Sequence, residues 1–325
     1  MALKEIAGQE KALRILFGML KRNRVPSAML LSGDTGIGKR LAAVNFAKAV
    51  NCLKPADFDC CDTCASCRKI DAAMHPDVSF TFPEKGEIKI DAVRKLEETL
   101  FLMPLEGAKK IAVVDDADAM NLNAANAFLK TLEEPPDDSL IILVSSNPYR
   151  LPSTIRSRCV AILFYPLSCV AFRKAVSVSV DAEHIDYLSR LSMGRPGLAL
   201  SGELQKEMQW FGAVLGDMVK GESKETWTDK EEMRAWLDMA FVFLRDMVVF
   251  KITGNESDLL CGKENRNFPW KNDISSVLDS YKSLQKVRDL LDFNLNKSIT
   301  WNYVSNVMRT VIGDRQQAIA CFLEE

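Results

Sequence analysis

Residues 33 to 40 read Gly-Asp-Thr-Gly-Ile-Gly-Lys-Arg and match a phosphate-binding loop at every defining position except the last. In such loops the backbone N–H groups surround phosphate oxygens and the lysine, here Lys39, reaches the terminal phosphates. The following Ser or Thr normally ligates magnesium through its hydroxyl, but this chain has Arg40 there. A guanidinium is permanently positive and has no acceptor atom, so it cannot ligate a cation. We therefore predict a loop that holds phosphate without supporting hydrolysis.

A second set of candidates is the acidic run after residues 111–114, an apolar segment that is typical of a central buried strand. Asp115 stands where a nucleotide site has its magnesium-side carboxylate, and Asp116 stands where an active ATPase usually has Glu. The shorter side chain sets its carboxylate back by about one carbon–carbon bond, and a displacement of ~1 Å can lower a rate about a hundredfold. The alternative is that these acids are solvated loop residues. The predicted nucleotide-binding residues are Gly33, Thr35, Gly36, Gly38, Lys39 and Asp115.

Five of the nine cysteines fall between positions 52 and 67. Four of them are separated by eight, two and two residues, a spacing that offers four thiolates to one tetrahedral zinc ion. We predict that this zinc is structural, because four protein ligands leave no open coordination position. Cys60 is the competing ligand, and a disulfide is the alternative that an intracellular chain disfavours. The predicted ligands are Cys52, Cys61, Cys64 and Cys67, and the predicted interior cysteines are Cys159, Cys169, Cys261 and Cys321.

One arginine is a candidate for acting on a neighbouring subunit rather than within this chain. Ser157-Arg158-Cys159 comes just before an apolar segment that is predicted to be a strand. A loop arginine is usually a surface charge, but beside a phosphate-loop domain Arg158 becomes a candidate arginine finger that reaches a neighbouring subunit's nucleotide. Arg156 is the nearby alternative.

The elements that must position these residues alternate between apolar strands and amphipathic helices in the first half of the chain. Short apolar runs predict strands at residues 28–32, 78–82, 111–114, 140–145 and 160–164. Because strands that alternate with helices form parallel sheets covered on both faces, we predict an α/β domain. Beyond Pro166 the pattern is helical. We predict three domains: residues 1–165, with the zinc module at 51–70, a helical lid at 166–202, and a helical domain at 203–325.

Two apolar stripes predict long helices in the last part of the chain, with a polar connecting loop at residues 253–272 between them. The first stripe contains Met233, Trp236, Leu237, Ala240 and Leu244. The second contains Ile274, Val277, Leu278, Tyr281 and Leu284.

The chain length and the net charge limit the classes of function that the sequence is compatible with. A chain of 325 residues exceeds the size of one growing core, so two or three domains are expected. A net charge of −2 argues against a protein that binds nucleic acid alone through a strongly basic face. No stretch approaches the roughly 18 apolar residues that span a bilayer, so we predict a soluble, cytoplasmic protein without membrane partners.

In combination these motifs resemble the AAA+ clamp-loader subunits of bacterial DNA polymerase III. The resemblance covers nearly the whole first domain, whereas the C-terminal half matches only in helical character and length. The stretches that carry it are Gly8-Gln9, residues 32–39, the four-cysteine insert, His75-Pro76-Asp77, residues 111–118, residues 126–136 and residues 153–159.

The resemblance implies an AAA+ fold whose C-terminal helices form the collar of a pentameric ring. It implies a non-hydrolysing stator in which Arg158 acts in trans on the nucleotide of a tau/gamma ATPase subunit. The other implied partners are the delta subunit, the sliding clamp and primer–template DNA, within a nucleoid-associated replisome. Polymerase (nucleotidyltransferase) activity would belong to the holoenzyme. ATP or ADP would be bound without hydrolysis.

Two further expectations concern the lid and the alternative functions. The sensor-2 arginine of active AAA+ proteins would fall at Gly197, so the lid is predicted to lack that contact. The main alternative is an active ATPase motor subunit, which the intact glycines and Lys39 favour and Arg40 opposes. A sequence-reading zinc finger is disfavoured by the low net charge.

Overall fold

The computed structural model describes residues 1–180, 182–221, 227, 229–255, 258–260, 273–291, 293 and 295–312. Its contacts divide the chain into two compact units. The first unit contains residues 1–180 and 193–200, and the second contains residues 181–192 and 201–325. The three-domain division, with a separate lid at 166–202, stays a prediction.

The first unit is built on a five-stranded parallel sheet with the strand order β2-β3-β4-β1-β5. Its strands are β1 (Ala28–Ser32), β2 (Val78–Thr81), β3 (Lys110–Val114), β4 (Ser139–Ser145) and β5 (Val160–Leu163). Every neighbouring pair is parallel, and β1 pairs with β4 through Leu30 opposite Leu143. The predicted α/β fold with a parallel sheet is therefore confirmed.

Helices cover both faces of this sheet. They are α1 (Glu10–Lys21), α2 (Lys39–Val50), α3 (Ala65–Asp71), α4 (Ile90–Leu100), α5 (Leu122–Glu133), α6 (Ser153–Arg156), α7 (Cys169–Val176) and α9 (Pro196–Ser201), with short 3-10 helices at Leu3–Glu5, Ala117–Ala119 and Pro148–Arg150. Successive side chains of a strand point to opposite faces of the sheet, so they enter two different hydrophobic cores. Met29 and Leu31 pack with Phe46 of α2, whereas Leu30 packs with Phe128 of α5.

The second unit is helical throughout its described residues. Its helices are α8 (Ala182–Leu191), α10 (Glu203–Lys220), α11 (Lys230–Thr253), α12 (Ile274–Asp289) and α13 (Lys297–Ile312). Helices α10 to α13 share one core, in which Trp236 lies 5.2 Å from Phe211 and 5.8 Å from Trp227 between ring centroids. The first predicted stripe is fully buried there. The predicted loop at 253–272 lies largely outside the described residues.

A buried ion pair fixes the beginning of β3. The Asp77 carboxylate lies 2.8 Å from the Lys110 ammonium and accepts backbone N–H groups from Leu105, Glu106 and Gly107 at 2.7 to 2.8 Å. These donors stabilise the charged form and hold the pKa of Asp77 well below its usual range. The pair therefore holds the loop between α4 and β3 against the end of the sheet.

His75 connects the same region to the cysteine segment. Its Nδ1 accepts the Asp77 N–H at 3.1 Å, and its Nε2 lies 3.1 Å from the Ser66 hydroxyl. The Ser66 hydroxyl donates to the Asn51 carbonyl at 2.7 Å, which leaves its oxygen to accept from a neutral His75 protonated on Nε2. Burial lowers the pKa of His75, in agreement with the neutral form.

Replacing Asp77 by Asn should destabilise the chain by about 3 to 5 kcal/mol, because Lys110 is left buried without its counter-ion. Urea unfolding at pH 7 measures this change. The matched control is Asp138→Asn, since Asp138 is 71% exposed and lies 3.7 Å from Lys109, so the expected loss is below about 1 kcal/mol. Equal losses in the two variants would contradict the assignment.

The same carboxylate predicts a direction for pH dependence. Because the folded-state pKa of Asp77 is depressed, its stabilisation is complete above the unfolded pKa of about 3.9 and is lost as pH falls from there toward the folded value. The Asn variant should therefore lose less stability than the parent chain between pH 5 and pH 3, as measured by thermal unfolding.

Candidate functional site

The glycine loop between β1 and α2 lines a cavity of about 680 Å³. Five of the six predicted nucleotide-binding residues line it: Thr35, Gly36, Gly38, Lys39 and Asp115. The sixth, Gly33, begins the loop but does not line the cavity; its φ is +144°, and a Cβ there would come within 2.4 Å of the Phe164 carbonyl oxygen. The other end of the cavity is mainly apolar and includes Ile6, Leu167 and Leu200. Its volume falls within the usual range of small-molecule sites.

Lys39 begins α2 and lies almost fully inside the protein. Its ammonium donates to the carbonyl oxygens of Gly33 at 2.6 Å and Asp34 at 2.7 Å. Burial lowers the pKa of Lys39, and nearby acids, led by Asp116, oppose that shift. Backbone donors at the α2 N-terminus and this ammonium form an arrangement that suits phosphate.

Arg40 lies where the magnesium hydroxyl was expected, and its side chain turns toward the acidic run. Its Nε is 3.6 Å from the Asp115 carboxylate, and its guanidinium carbon lies 4.6 Å from the centre of the Phe82 ring. Burial and then Asp116 raise the pKa of Asp115, whereas Arg40 lowers it. A fixed cation of the chain thus lies beside the carboxylate that was predicted to face a metal.

The segment at Gly197 makes a backbone contact with the glycine loop. The Gly197 N–H donates to the Gly36 carbonyl oxygen at 2.8 Å. A Cβ at Gly197 would come within 2.9 Å of the Gly36 Cα, so any larger residue forces a shift of the backbone. At the position predicted to lack a sensor-2 arginine, the first turn of α9 therefore contacts the glycine loop directly and leaves no room for a side chain.

Arg158 lies on the surface between α6 and β5. It donates through Nη1 to the Thr154 carbonyl oxygen at 2.8 Å and through Nη2 to the Glu133 carboxylate at 2.5 Å. Its side chain remains 34% exposed. It is therefore held in place and accessible, as an arginine that acts on a neighbouring molecule must be.

Arg156, the alternative to Arg158, is engaged differently. Its guanidinium carbon lies 5.1 Å from the centre of the Tyr149 ring, and its Nε is buried without a hydrogen-bond partner in the structure. Arg156 is therefore packed against Tyr149, whereas Arg158 is held by Thr154 and Glu133.

Sequence reasoning missed two polar residues at these sites. Ser146 follows β4 and lines the cavity, and its hydroxyl accepts a 3.1 Å hydrogen bond from the Thr35 hydroxyl. Its position just after a central strand was the available signal, since parallel strands place functional residues at their carboxyl ends. Glu133 carried no such signal, because it lies 25 positions from Arg158.

The four predicted zinc ligands lie together. Their ligand atoms are all within 4.8 Å of one another, and the Sγ of Cys52 lies 4.0 Å from that of Cys64 and 3.8 Å from that of Cys67. A zinc ion with Zn–S bonds of about 2.3 Å has ligand sulfurs about 3.8 Å apart. Backbone N–H groups of Cys61, Cys64 and Cys67 approach the sulfurs at 3.3 to 3.4 Å, which stabilises thiolates. The cluster can therefore hold a metal ion such as zinc.

Cys60, the competing ligand, lies outside this cluster. It is buried, its Sγ lies 3.6 Å from Asp62, and burial together with Asp62 and Asp59 raises its pKa to about 12. Its Sγ is not among the four sulfurs that lie within 4.8 Å of one another, so the geometry favours the predicted set of four ligands over one that includes Cys60. Of the predicted interior cysteines, Cys159 is half-buried, whereas Cys169 is exposed, so that prediction was wrong for Cys169. The remaining two, Cys261 and Cys321, lie outside the described residues.

Charged groups attach the cysteine segment to the rest of the unit. The Lys48 ammonium, 1% exposed, pairs with Asp62 and with Asp71. The Asp59 carboxylate accepts backbone N–H groups from Leu3 and Lys4 at 2.9 to 3.0 Å. The segment therefore connects the N-terminus to α2 and α3. A membrane-crossing helix is absent from the described part of the chain.

Comparison with known proteins places the chain among bacterial DNA polymerase III subunits. The family model for "DNA polymerase III, delta subunit" matches residues 8–168. The chain is similar to DNA polymerase III subunit delta' of Bacillus subtilis, with 36% identity over 78% of this chain and 80% of that protein. The Pseudomonas aeruginosa delta' subunit is 43% identical over 53% of this chain and half of its own length. A solved gamma subunit-related protein from Thermotoga maritima has a TM-score of 0.46 and 18% identity, covering 95% of this chain and 99% of its own.

Proposed function

The chain belongs to the DNA polymerase III delta' family, a clamp-loader subunit with an AAA+ domain, and from this premise we propose that it is a non-hydrolysing stator. It lends Arg158 to the nucleotide site of a neighbouring ATPase subunit, where the guanidinium stabilises the charge that develops during phosphoryl transfer. ATP hydrolysis and polymerase chemistry then belong to other subunits. The observation that carries this proposal is Arg40 beside Asp115, at the position where a magnesium ligand is expected, together with an ordered and partly exposed Arg158.

The partners follow from the same premise. The chain assembles with tau/gamma ATPase subunits and a delta subunit, and the complex loads the sliding clamp on primer–template DNA in the cytoplasm. Contact with DNA is shared with the other subunits, in keeping with a net charge of −2. The experiment that tests the role is ATPase measurement on the reconstituted complex with and without Arg158.

We propose further that the glycine loop holds ATP or ADP without magnesium. The Lys39 ammonium and the α2 N-terminus supply the positive potential that phosphate needs. Arg40 provides a fixed charge beside Asp115 in place of a divalent cation. The contact between Gly36 and Gly197 closes the cavity without an arginine from the lid. Asp116, one carbon–carbon bond shorter than Glu, leaves water poorly oriented for attack.

If Arg40 replaces the metal, nucleotide binding at this site should not depend on magnesium. Affinity of the isolated chain for a fluorescent ADP analogue should change by less than about twofold between magnesium and EDTA. Arg40→Thr should make binding magnesium-dependent, because it supplies a hydroxyl ligand and uncovers Asp115. Phosphate release from ATP should stay at background in both proteins.

Two results would contradict this account. Tenfold tighter binding with magnesium in the unsubstituted chain would mean that Arg40 does not replace the cation. Steady ATP hydrolysis that Lys39→Ala abolishes would favour the alternative, an active motor subunit, which the intact glycines and lysine of the loop support.

The cysteine cluster is proposed to hold one structural zinc through Cys52, Cys61, Cys64 and Cys67. The sulfur separations of 3.8 and 4.0 Å and the soft, four-ligand donor set support zinc over harder cations. When bound, the ion supplies a cross-link between the loop after α2 and the start of α3, and no catalytic function.

A further inference from the structure

The Arg158 guanidinium is held by two different elements of the first unit. Thr154 belongs to α6, and Glu133 is the last residue of α5. The two acceptors bind two different nitrogens, Nη1 and Nη2, so the plane of the guanidinium is fixed as well as its position.

Glu133 is itself rigidly placed. The residues just before it, Thr131 and Leu132, are buried, and the Thr131 hydroxyl donates to the Glu97 carboxylate of α4 at 2.5 Å. Pro135 and Pro136 follow and prevent the helix from continuing. The carboxylate therefore projects from a fixed helix end, although it is 51% exposed.

We propose that Glu133 is a positioning residue for the Arg158 finger, a role that rests on the proposed function. A free arginine side chain samples many rotamers and loses that entropy when it is ordered. Glu133 and Thr154 order the guanidinium before the partner's nucleotide arrives, so less entropy is lost in the transition state.

The donor count is compatible with this role. A guanidinium has five N–H donors, and its contacts with Thr154, Ser157 and Glu133 engage three of them. Two donors remain for phosphate oxygens while Glu133 stays bound. The carboxylate thus orients the finger without having to release it.

The test measures kcat and KM for ATP in the reconstituted complex with clamp and primed DNA, in which only the ATPase site next to Arg158 is left active. Glu133→Ala should lower kcat about three- to fivefold. A factor of this size corresponds to the free energy of an exposed ion pair. KM should not change, because the finger acts in the transition state. Glu133→Gln keeps an acceptor oxygen at the same reach and should stay within twofold of the unsubstituted complex. Glu134→Ala, at the exposed neighbouring position, is the matched control.

A double variant separates positioning from a merely structural role. In an Arg158→Ala background, Glu133→Ala should cause no further loss, since there is no finger left to orient. An additional loss there, or a kcat for Glu133→Ala equal to or above that of the unsubstituted complex, would overturn the proposal. If Arg158→Ala itself has no effect, the proposed function fails instead, so the two failures are distinguishable.

Discussion

Replacing Arg158 by Ala should lower ATP hydrolysis at the adjoining ATPase site by about 10³-fold or more, while the complex still assembles. The guanidinium stabilises charge on the transferring phosphate, and neutral Ala provides neither charge nor donors. Because one finger serves one interface, hydrolysis is best measured in a complex whose other ATPase sites carry inactivating loop substitutions. Gel filtration of the same preparation checks assembly.

Two controls make this result specific to Arg158. Arg156→Ala removes a positive charge from the same segment, but its guanidinium lies against Tyr149, so hydrolysis should change by less than about threefold. Arg158→Lys should retain part of the activity, because an ammonium keeps the charge and loses the planar fork of donors. A large loss in Arg156→Ala with full activity in Arg158→Ala would reverse the assignment.

The strands and the glycine loop between β1 and α2 were predictable because each is encoded within a few residues. Every predicted strand overlaps an observed one to within one residue at each end, since short apolar runs between turn signals define buried strands locally. The cysteine cluster was predictable for a similar reason. Two-residue spacings between Cys61, Cys64 and Cys67 bring sulfurs together with little help from the rest of the fold.

Features that depend on tertiary packing were not predictable in this way. In α12 the apolar residues Leu278 and Tyr281 are 45% and 38% exposed, although the pattern predicted that they face the core. The buried face instead contains Val277, Ser280 and Leu284, which includes one polar residue. Hydrophobic periodicity assigns the inward face only to within about one residue, or ~100° on a helix.

Long-range pairs were hidden for a different reason. Glu133 and Arg158 are joined because α5 and α6 pack side by side, and the Gly36–Gly197 contact joins positions more than 150 residues apart. Neither pair has a local spacing that sequence reasoning can use. The sequence nevertheless predicted the missing arginine at Gly197, and the structure supplies the steric reason, since a Cβ there meets the Gly36 backbone.

Loss of the zinc site should lower the stability of the chain strongly, because the cysteine segment supplies a carboxylate partner to a buried lysine. Lys48 is 1% exposed, and one of its two carboxylate partners, Asp62, lies between ligands Cys61 and Cys64. If the segment unfolds without metal, Lys48 loses that partner within the core. Lys48 would keep Asp71 but lose part of the compensation of its buried charge, so the effect should extend beyond residues 51–70.

Cys64→Ser should therefore abolish zinc binding and lower the stability of the chain by at least about 3 kcal/mol. The measurements are zinc content per chain, expected to fall from one to zero, and thermal unfolding. Strong chelation of the unsubstituted chain should produce the same loss of stability, and added zinc should reverse it.

Cys60→Ser is the matched control, because Cys60 is buried in the same segment but lies outside the four-sulfur cluster. A serine hydroxyl can donate to Asp62 as the thiol does, so zinc content should stay at one per chain. Loss of zinc in Cys60→Ser together with retention in Cys61→Ser would show that the ligand set is shifted by one residue. Retention of one zinc in Cys64→Ser with unchanged stability would remove the structural role altogether, since a four-thiolate site cannot lose a ligand without weakening.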